Sequence, residues 1–202
     1  SGEIINFEAV GRDAQVPVRT IREYYRILED TLLGTMLEPI RTTGARKAIS
    51  RGKFYFFDVG VVHALTGEMS VKPGTPAFGK AFEHLVFQEI SAYRSYFSRR
   101  SSLGFFRDVH GAEVDFVLGG SVAVEVKSAT LVGEKHLKGL GAIMEQKDFP
   151  IARRIVVCQE PSRRKLAGVE ILPYREFFSD LWSGGVFPPT DRGDGRRISS
   201  SA

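Results

Sequence analysis

The sequence predicts an α/β domain built on a mixed sheet, and three observations carry that prediction. A long amphipathic stretch runs from Pro76 to about Phe97, with Phe78, Phe82, Leu85, Val86, Ile90, Tyr93 and Phe97 as its apolar stripe. Three short strand-like segments follow, at Leu103–Val109, Ala112–Leu118 and Val122–Lys127. A second helical pattern with Leu137, Leu140, Ile143 and Met144 then leads into an apolar run at Arg154–Cys158. Helix, three strands, helix, strand is the order of an α/β domain with a mixed sheet.

The remaining elements read in order from the start of the chain. Ile4, Ile5, Phe7 and Val10 have partial helical spacing, and Gly11-Arg12-Asp13 reads as a break. Pro17 sits where a first helical turn tolerates it. Ile21, Tyr24, Tyr25, Leu28 and Leu32 then recur at helical intervals, with Arg19, Arg22 and Arg26 on other sides. Helix, short turn and arginine-bearing helix outline a helix-turn-helix. Met36–Arg41 and Lys53–Phe57 read as the two strands of a wing, and an ordinary helical hairpin packed on the rest of the chain is the competing reading. A short strand at Val169–Leu172 and a helix at Tyr174–Trp182 finish the globular part, and Gly, Pro, Arg, Asp and Ser dominate from Ser183 onwards. The expected organisation is a truncated winged-helix-like segment at 1–57, an α/β domain at 58–182 and a flexible tail at 183–202.

Composition narrows the function classes. The chain has 202 residues, enough for one good core or for a small domain attached to a medium one. Its hydrophobic share of 43% is ordinary for a globular protein. No apolar run approaches the roughly 20 residues of a spanning helix, and no signal-peptide pattern opens the chain, so no membrane partner is expected. Cys158 is the single cysteine and lies in the run Ile155-Val156-Val157-Cys158, which predicts a buried structural thiol and a reducing, cytoplasmic compartment.

The net charge of +4 is mild, but its distribution is uneven. Arg41, Arg46, Lys47, Arg51 and Lys53 fall in one stretch without an acid. Arg153, Arg154, Arg163, Arg164 and Lys165 form a second cluster, relieved only by Glu160. Such clusters suit a phosphate backbone, and equally a solvated surface.

Glu113, Asp115, Glu125 and Lys127 are embedded in two apolar runs, where charge is costly without a partner or a metal. Glu113 and Asp115 share one strand face; Glu125 and Lys127 share another. A two-residue Gly119-Gly120 loop would set Asp115 opposite Val124. A three-residue loop, Gly119-Gly120-Ser121, pairs Leu118 with Val122 and sets Asp115 opposite Glu125. The apolar pattern favours the second register, because it gathers Val114, Phe116, Leu118, Val122, Val124 and Val126 on one buried face. Asp115, Glu125 and Lys127 then lie together on the other, able to hold a divalent cation and polarise a phosphate. In this reading Asp115 and Glu125 ligate Mg²⁺, for which Mn²⁺ can substitute, helped by the Val126 carbonyl. Lys127 orients water or neutralises charge, and Glu83 completes the acid set from the long helix. The competing reading is the surface face of an amphipathic hairpin with a Glu125–Lys127 pair.

Other motifs carry less. Gly74-Thr75-Pro76-Ala77-Phe78-Gly79-Lys80 has the spacing of a phosphate-binding loop, but Ala81 stands where Ser or Thr would hold magnesium. It reads as a loop entering a helix, not as an ATP site. His63, His84, His110 and His136 show no paired zinc spacing.

A helix with Glu83, a strand with Asp115 and a following strand with Glu125-Val126-Lys127 resembles the PD-(D/E)XK nuclease superfamily. More narrowly, the chain looks like the C-terminal region of archaeal-type AAA ATPases with an uncharacterised C-terminal domain. The matching stretches are Tyr24–Glu29, Lys53–Gly60, Gly79–Glu83, Gly111–Phe116 and Val124–Ser128. The resemblance implies a restriction-endonuclease-like mixed sheet flanked by helices and preceded by a partial winged helix, with the ATPase module of the parent chain absent. It implies catalytic roles for Glu83, Asp115, Glu125 and Lys127, metal ligation by Asp115 and Glu125, and DNA as partner. Arg19, Arg22, Arg46, Lys47, Arg51 and Lys53 are the expected nucleic-acid contacts. The expected function is a nucleic-acid-binding, Mg²⁺-dependent DNA endonuclease. Its alternative is an inactive nuclease-fold module that docks protein partners or DNA for the ATPase.

Overall fold

The computed structural model of the chain describes residues 1–40, 51–67, 71–97, 101–146 and 148–188. Helix α1 (Phe7–Ala14) starts where the Asn6 side chain accepts the Ala9 N–H at 3.1 Å, satisfying an orphan donor of the first turn. The expected break at Gly11 to Asp13 comes later, at Gln15, with φ 54°. Gly11 lies within the helix, and its lack of a side chain lets the Val16 carbonyl pass close by; a Cβ there would lie 2.8 Å from that oxygen. Helix α2 (Val18–Asp30) follows Pro17 and buries only Ile21, while Tyr24 and Ile27 remain exposed; Leu32, expected on its stripe, lies beyond the helix end and is exposed.

Strands β1 (Gly34–Leu37) and β2 (Lys53–Phe56) pair antiparallel, Leu37 against Lys53. The expected tip of this hairpin, which includes Arg46 and Lys47, lies outside the described residues. The chain leaving β1 runs along a sheet edge: Ile40 N–H donates to the Phe105 carbonyl at 2.8 Å, and Phe105 N–H to the Glu38 carbonyl at 3.2 Å. That contact covers backbone groups that an edge strand would otherwise expose. Leu37 and Tyr55 share one core with Phe116 and Val124, so the N-terminal segment packs as part of the α/β body.

Helix α3 (Val59–Thr66), which periodicity did not reveal, is capped by Asp58 accepting the Gly60 N–H at 2.7 Å. Helix α4 (Pro76–Tyr96) begins with Thr75 accepting the Phe78 N–H at 3.2 Å. The Gly74–Lys80 stretch is thus a loop and a capped first turn, and Lys80 pairs with Glu3.

Strands β3 (Leu103–Arg107), β4 (Glu113–Leu118), β5 (Val122–Val126), β6 (Arg153–Cys158), β7 (Arg164–Leu166) and β8 (Val169–Pro173) form one mixed sheet in the order β3-β4-β5-β6-β8-β7. β5–β6 and β6–β8 are parallel; the other pairs are antiparallel. A 3₁₀ turn (Glu134–Leu137) and helix α5 (Lys138–Glu145) connect β5 to β6, and helix α6 (Tyr174–Trp182) follows β8. Phe82, Val86 and Ile90 of α4 and Phe177 and Leu181 of α6 pack on one sheet face. Leu140 and Ile143 of α5 pack on the other. Cover on both faces explains why β5 reads as a nearly unbroken apolar run.

The β4–β5 turn has the expected three-residue form. Gly119 and Gly120 take φ of 56° and 70°, the region glycine enters without steric cost, and Leu118 pairs with Val122. The expected single buried face is corrected. Between Gly104↔Val117 and Phe106↔Val114, β3 advances two residues while β4 advances three, so β4 bulges at Asp115-Phe116. Phe116, Leu118, Val122, Val124 and Val126 face α4 and α6, whereas Val114 joins Val117 and Ala123 against α5. The acids therefore gather at the strand ends instead of lining an open face.

The expected tail boundary also moves. Val186 and Phe187 are buried in the core, and the Gly185 carbonyl accepts a bond from Arg153 at 2.6 Å. Residues 189–202 lie outside the described residues. Among the described residues, no helix is long and apolar enough to cross a membrane.

Candidate functional site

The N-terminal end of β4 and the C-terminal end of β5 lie side by side, because the strands are antiparallel. The paired register ends at Phe116↔Val124, one residue short of the expected Asp115–Glu125 pair. The bulge interrupts the backbone ladder at this point, and a side chain replaces it: Asp115 Oδ2 accepts the Val126 N–H at 2.8 Å. The next N–H, that of Lys127, continues the parallel pairing to the Val157 carbonyl at 2.9 Å. Asp115 and Glu125 are 7% and 6% exposed.

Glu125 pairs through Oε1 with Lys127, whose side chain is only partly covered. Its Oε2 is buried and is, among the described residues, a buried side-chain oxygen without a hydrogen-bond partner. Burial, reinforced by the Asp115 charge, pushes the Glu125 carboxyl up to about 8 against the opposing pull of Lys127. Burial pulls the Lys127 ammonium down, but Glu125 and Asp115 outweigh it and leave it raised.

Lys53 stands among the other carboxylates. Its Nζ lies 2.6 Å from Glu113 Oε1, 3.2 Å from Glu83 Oε1 and 3.6 Å from Asp115 Oδ1. Tyr55, two residues along β2 and on the same side, donates its hydroxyl to Glu83 Oε1 at 2.5 Å. Burial and the neighbouring Asp115 charge raise Glu83 to about 6, with Lys53 and Tyr55 pulling the other way. Burial pulls the Lys53 ammonium down, and the three carboxylates together reverse that into a net rise. Arg107 adds a 2.9 Å bond to Glu113 Oε2 at the rim.

Two clefts meet at this cluster. One, of about 820 Å³, is lined by Lys53, Glu83 and Glu113 with Arg51, Lys80 and Arg107. The other, of about 600 Å³, is lined by Glu125 and Lys127 with Lys135, His136, Lys138 and Gly139. Gly139 lets α5 sit directly on β4, since a Cβ there would fall 1.8 Å from the Glu113 carbonyl oxygen.

The structure thus brings Glu83, Asp115, Glu125 and Lys127 into one cluster. Lys53, expected on nucleic acid, is corrected: it is 2% exposed and committed to the acids. Arg19, Arg22 and Arg51 are exposed; Arg22 and Arg51 share Glu8 at 3.8 and 3.3 Å, and Arg22 lies over the Phe7 ring. The second basic cluster is largely paired, Arg153 with Glu170, Arg163 with Glu176 and Asp180, and Arg164 with Glu160. Cys158 is buried, as expected of a structural thiol. His84 is buried too, its Nε2 2.7 Å from the Phe56 carbonyl, and burial lowers its pKa. Sequence reasoning missed Tyr55, Lys135 and Lys138, and it left Glu113 without a role. The pairing of Lys53 and Tyr55 at i and i+2 within a short aromatic strand was the available signal.

Among the described residues, no group of three or more His, Cys, Asp or Glu side chains is arranged to hold a metal ion. The donor chemistry that is present is a pair, Asp115 and Glu125, with one oxygen unpartnered. A pair fits Mg²⁺, which usually takes one or two carboxylates from a protein and fills its shell with water and phosphate.

Residues 78–177 match the model of a family described as a domain of unknown function (DUF4143). Residues 1–72 match a second model, also described as a domain of unknown function (DUF8612). No curated protein and no solved structure matches the chain. The cluster draws on both matched segments: Lys53 and Tyr55 come from the first 72 residues, and Glu83, Glu113, Asp115, Glu125 and Lys127 from 78–177.

Proposed function

We propose that the cluster joining these two segments is a metal-dependent phosphodiesterase site on nucleic acid, in a PD-(D/E)XK-type domain that works beside an AAA-type ATPase module. The buried, unpartnered Glu125 Oε2, within reach of the Asp115 charge, carries this reading. Burial keeps this carboxyl protonated up to about pH 8, and a cation shared with Asp115 would instead hold it ionised at neutral pH. Asp115, Glu125 and the Val126 carbonyl are the groups to hold Mg²⁺. When bound, the ion would act as a Lewis acid on a phosphoryl oxygen and acidify a water.

The chain's own residues divide the remaining work. The Val126 N–H holds Asp115 Oδ2, which fixes the carboxylate against rotation. Lys127 faces the cleft that also carries Lys135 and Lys138, so a phosphate there meets three ammonium groups. Lys127 can orient a water or donate to a non-bridging phosphate oxygen, with Glu125 holding it in place. Helices α1 and α2 with the β1–β2 hairpin support a winged-helix reading of the N-terminal segment, and Arg19, Arg22 and Arg51 are its exposed contacts.

The test is cleavage of end-labelled single- and double-stranded DNA and RNA in Mg²⁺ or Mn²⁺, with Glu125→Gln and Lys127→Met alongside. Cleavage by wild type that both variants lose supports the site. Equal background from all three leaves the non-cutting docking module as the reading.

A further inference from the structure

Lys53 is the member of the cluster that motif spacing does not anticipate. An ammonium offers three N–H donors and no acceptor, so within a cage of carboxylate oxygens it acts as a small tethered cation. Its side chain is 3% exposed, and its nearest acidic oxygens belong to three different residues. Glu83 Oε1 is engaged twice, by the Lys53 ammonium and by the Tyr55 hydroxyl.

We infer that Lys53 is a built-in cation that fills a second cation position of the acid set and confines the site to one divalent ion, on the Asp115–Glu125 side. This inference rests on the metal-dependent reading above and deepens it. Two-metal phosphodiesterase sites hold their ions about 3.5–4 Å apart and clamp both the attacking and the leaving oxygen. Asp115 is the carboxylate placed to be shared here, with Oδ1 towards Lys53 and Oδ2 on the N–H of Val126, the residue after Glu125. The oxygens that would complete a second shell, on Glu83 and Glu113, already face the ammonium. The unpartnered buried oxygen lies instead on Glu125, which has no ion pair with Lys53.

The origin of Lys53 adds a consequence. It arrives on β2, from the segment matched separately from the acids, and β2 is bound into the core through Tyr55. The N-terminal segment therefore sets the cation count of a site whose carboxylates all come from the other segment.

Titration calorimetry of Mn²⁺ into the chelator-stripped full chain tests this. Wild type should bind one ion and Lys53→Met a second. Glu83→Gln should change the wild-type affinity by less than about threefold, and Glu125→Gln should weaken it about tenfold or more. A Lys53→Met protein that binds one ion at wild-type affinity overturns the inference, and so does a Glu83→Gln protein weakened as much as Glu125→Gln. If Lys53→Met fails to fold by circular dichroism, the Glu83→Gln arm decides alone. No ion on wild type but one on Lys53→Met removes the Asp115–Glu125 reading while upholding Lys53 as the resident cation. No ion on either protein overturns both.

Discussion

Asp115 Oδ2 accepts the backbone N–H of Val126 at 2.8 Å, so one carboxylate both closes the β4–β5 ladder and offers its other oxygen to the acid cluster. The two duties separate by substitution. Asp115→Ala leaves a buried N–H without an acceptor and Lys53 short of a partner, and costs about 1–3 kcal/mol or more. Asp115→Asn keeps an acceptor for Val126 and recovers most of that loss. Chemical denaturation of both variants checks the order. Loss of activity in Asp115→Ala alone therefore says little about catalysis, and Asp115→Asn is the informative variant.

Glu125 gives the metal-free protein a pH signature. Its carboxyl titrates near 4.5 when unfolded and near 8 when folded. Between those values the native state binds the extra proton, so stability is fully present below about 4.5 and falls as pH rises through about 8. Glu83, raised to about 6, acts in the same direction over a narrower window. Thermal midpoints in EDTA should fall from pH 5 to 8.5 more steeply for wild type than for Glu125→Gln. Parallel slopes would show that Glu125 is not a buried, uncompensated acid.

Gly139 and Gly141 in α5 form a matched pair. A Cβ at Gly139 would collide with the Glu113 carbonyl oxygen at 1.8 Å, whereas one at Gly141 meets nothing within 4 Å. Gly139→Ala should destabilise by about 1–3 kcal/mol or more as α5 is pushed off β4. Gly141→Ala should be neutral or stabilising by up to about 1 kcal/mol through helix propensity. Denaturation midpoints check both.

Exposed arginines of the N-terminal segment give a salt-dependence test. If Arg19 and Arg51 each contact a phosphate, removing either reduces the slope of log K against log salt by about 0.9. Fluorescence anisotropy with a labelled duplex measures it. Lys53, which is buried, should not contribute to that slope.

The β4–β5 hairpin was the most legible part of the fold. Two glycines and an apolar count on either side were enough to choose Leu118↔Val122, although the pairing stops at Phe116↔Val124, before the expected Asp115–Glu125 pair. The long helix at Pro76 was equally plain, since it spans several turns of one periodicity. The bulge at Asp115-Phe116 was not legible, because no glycine marks it and strict alternation fitted the same residues. Helix α3 and strand β7 are too short for their period to show. Lys53 was misassigned because charge density was read along the chain. The three acids that bury it come from α4 and β4, and only the tertiary fold brings them to β2.

The most direct measurement is the single-turnover cleavage rate of labelled DNA in Mg²⁺ for wild type and Lys127→Met, with Mn²⁺ binding of both proteins recorded in parallel. The site described above predicts a rate loss of about 10²-fold or more in Lys127→Met, with metal binding retained. Equal rates in the two proteins, or no metal-dependent cleavage by wild type, would contradict it.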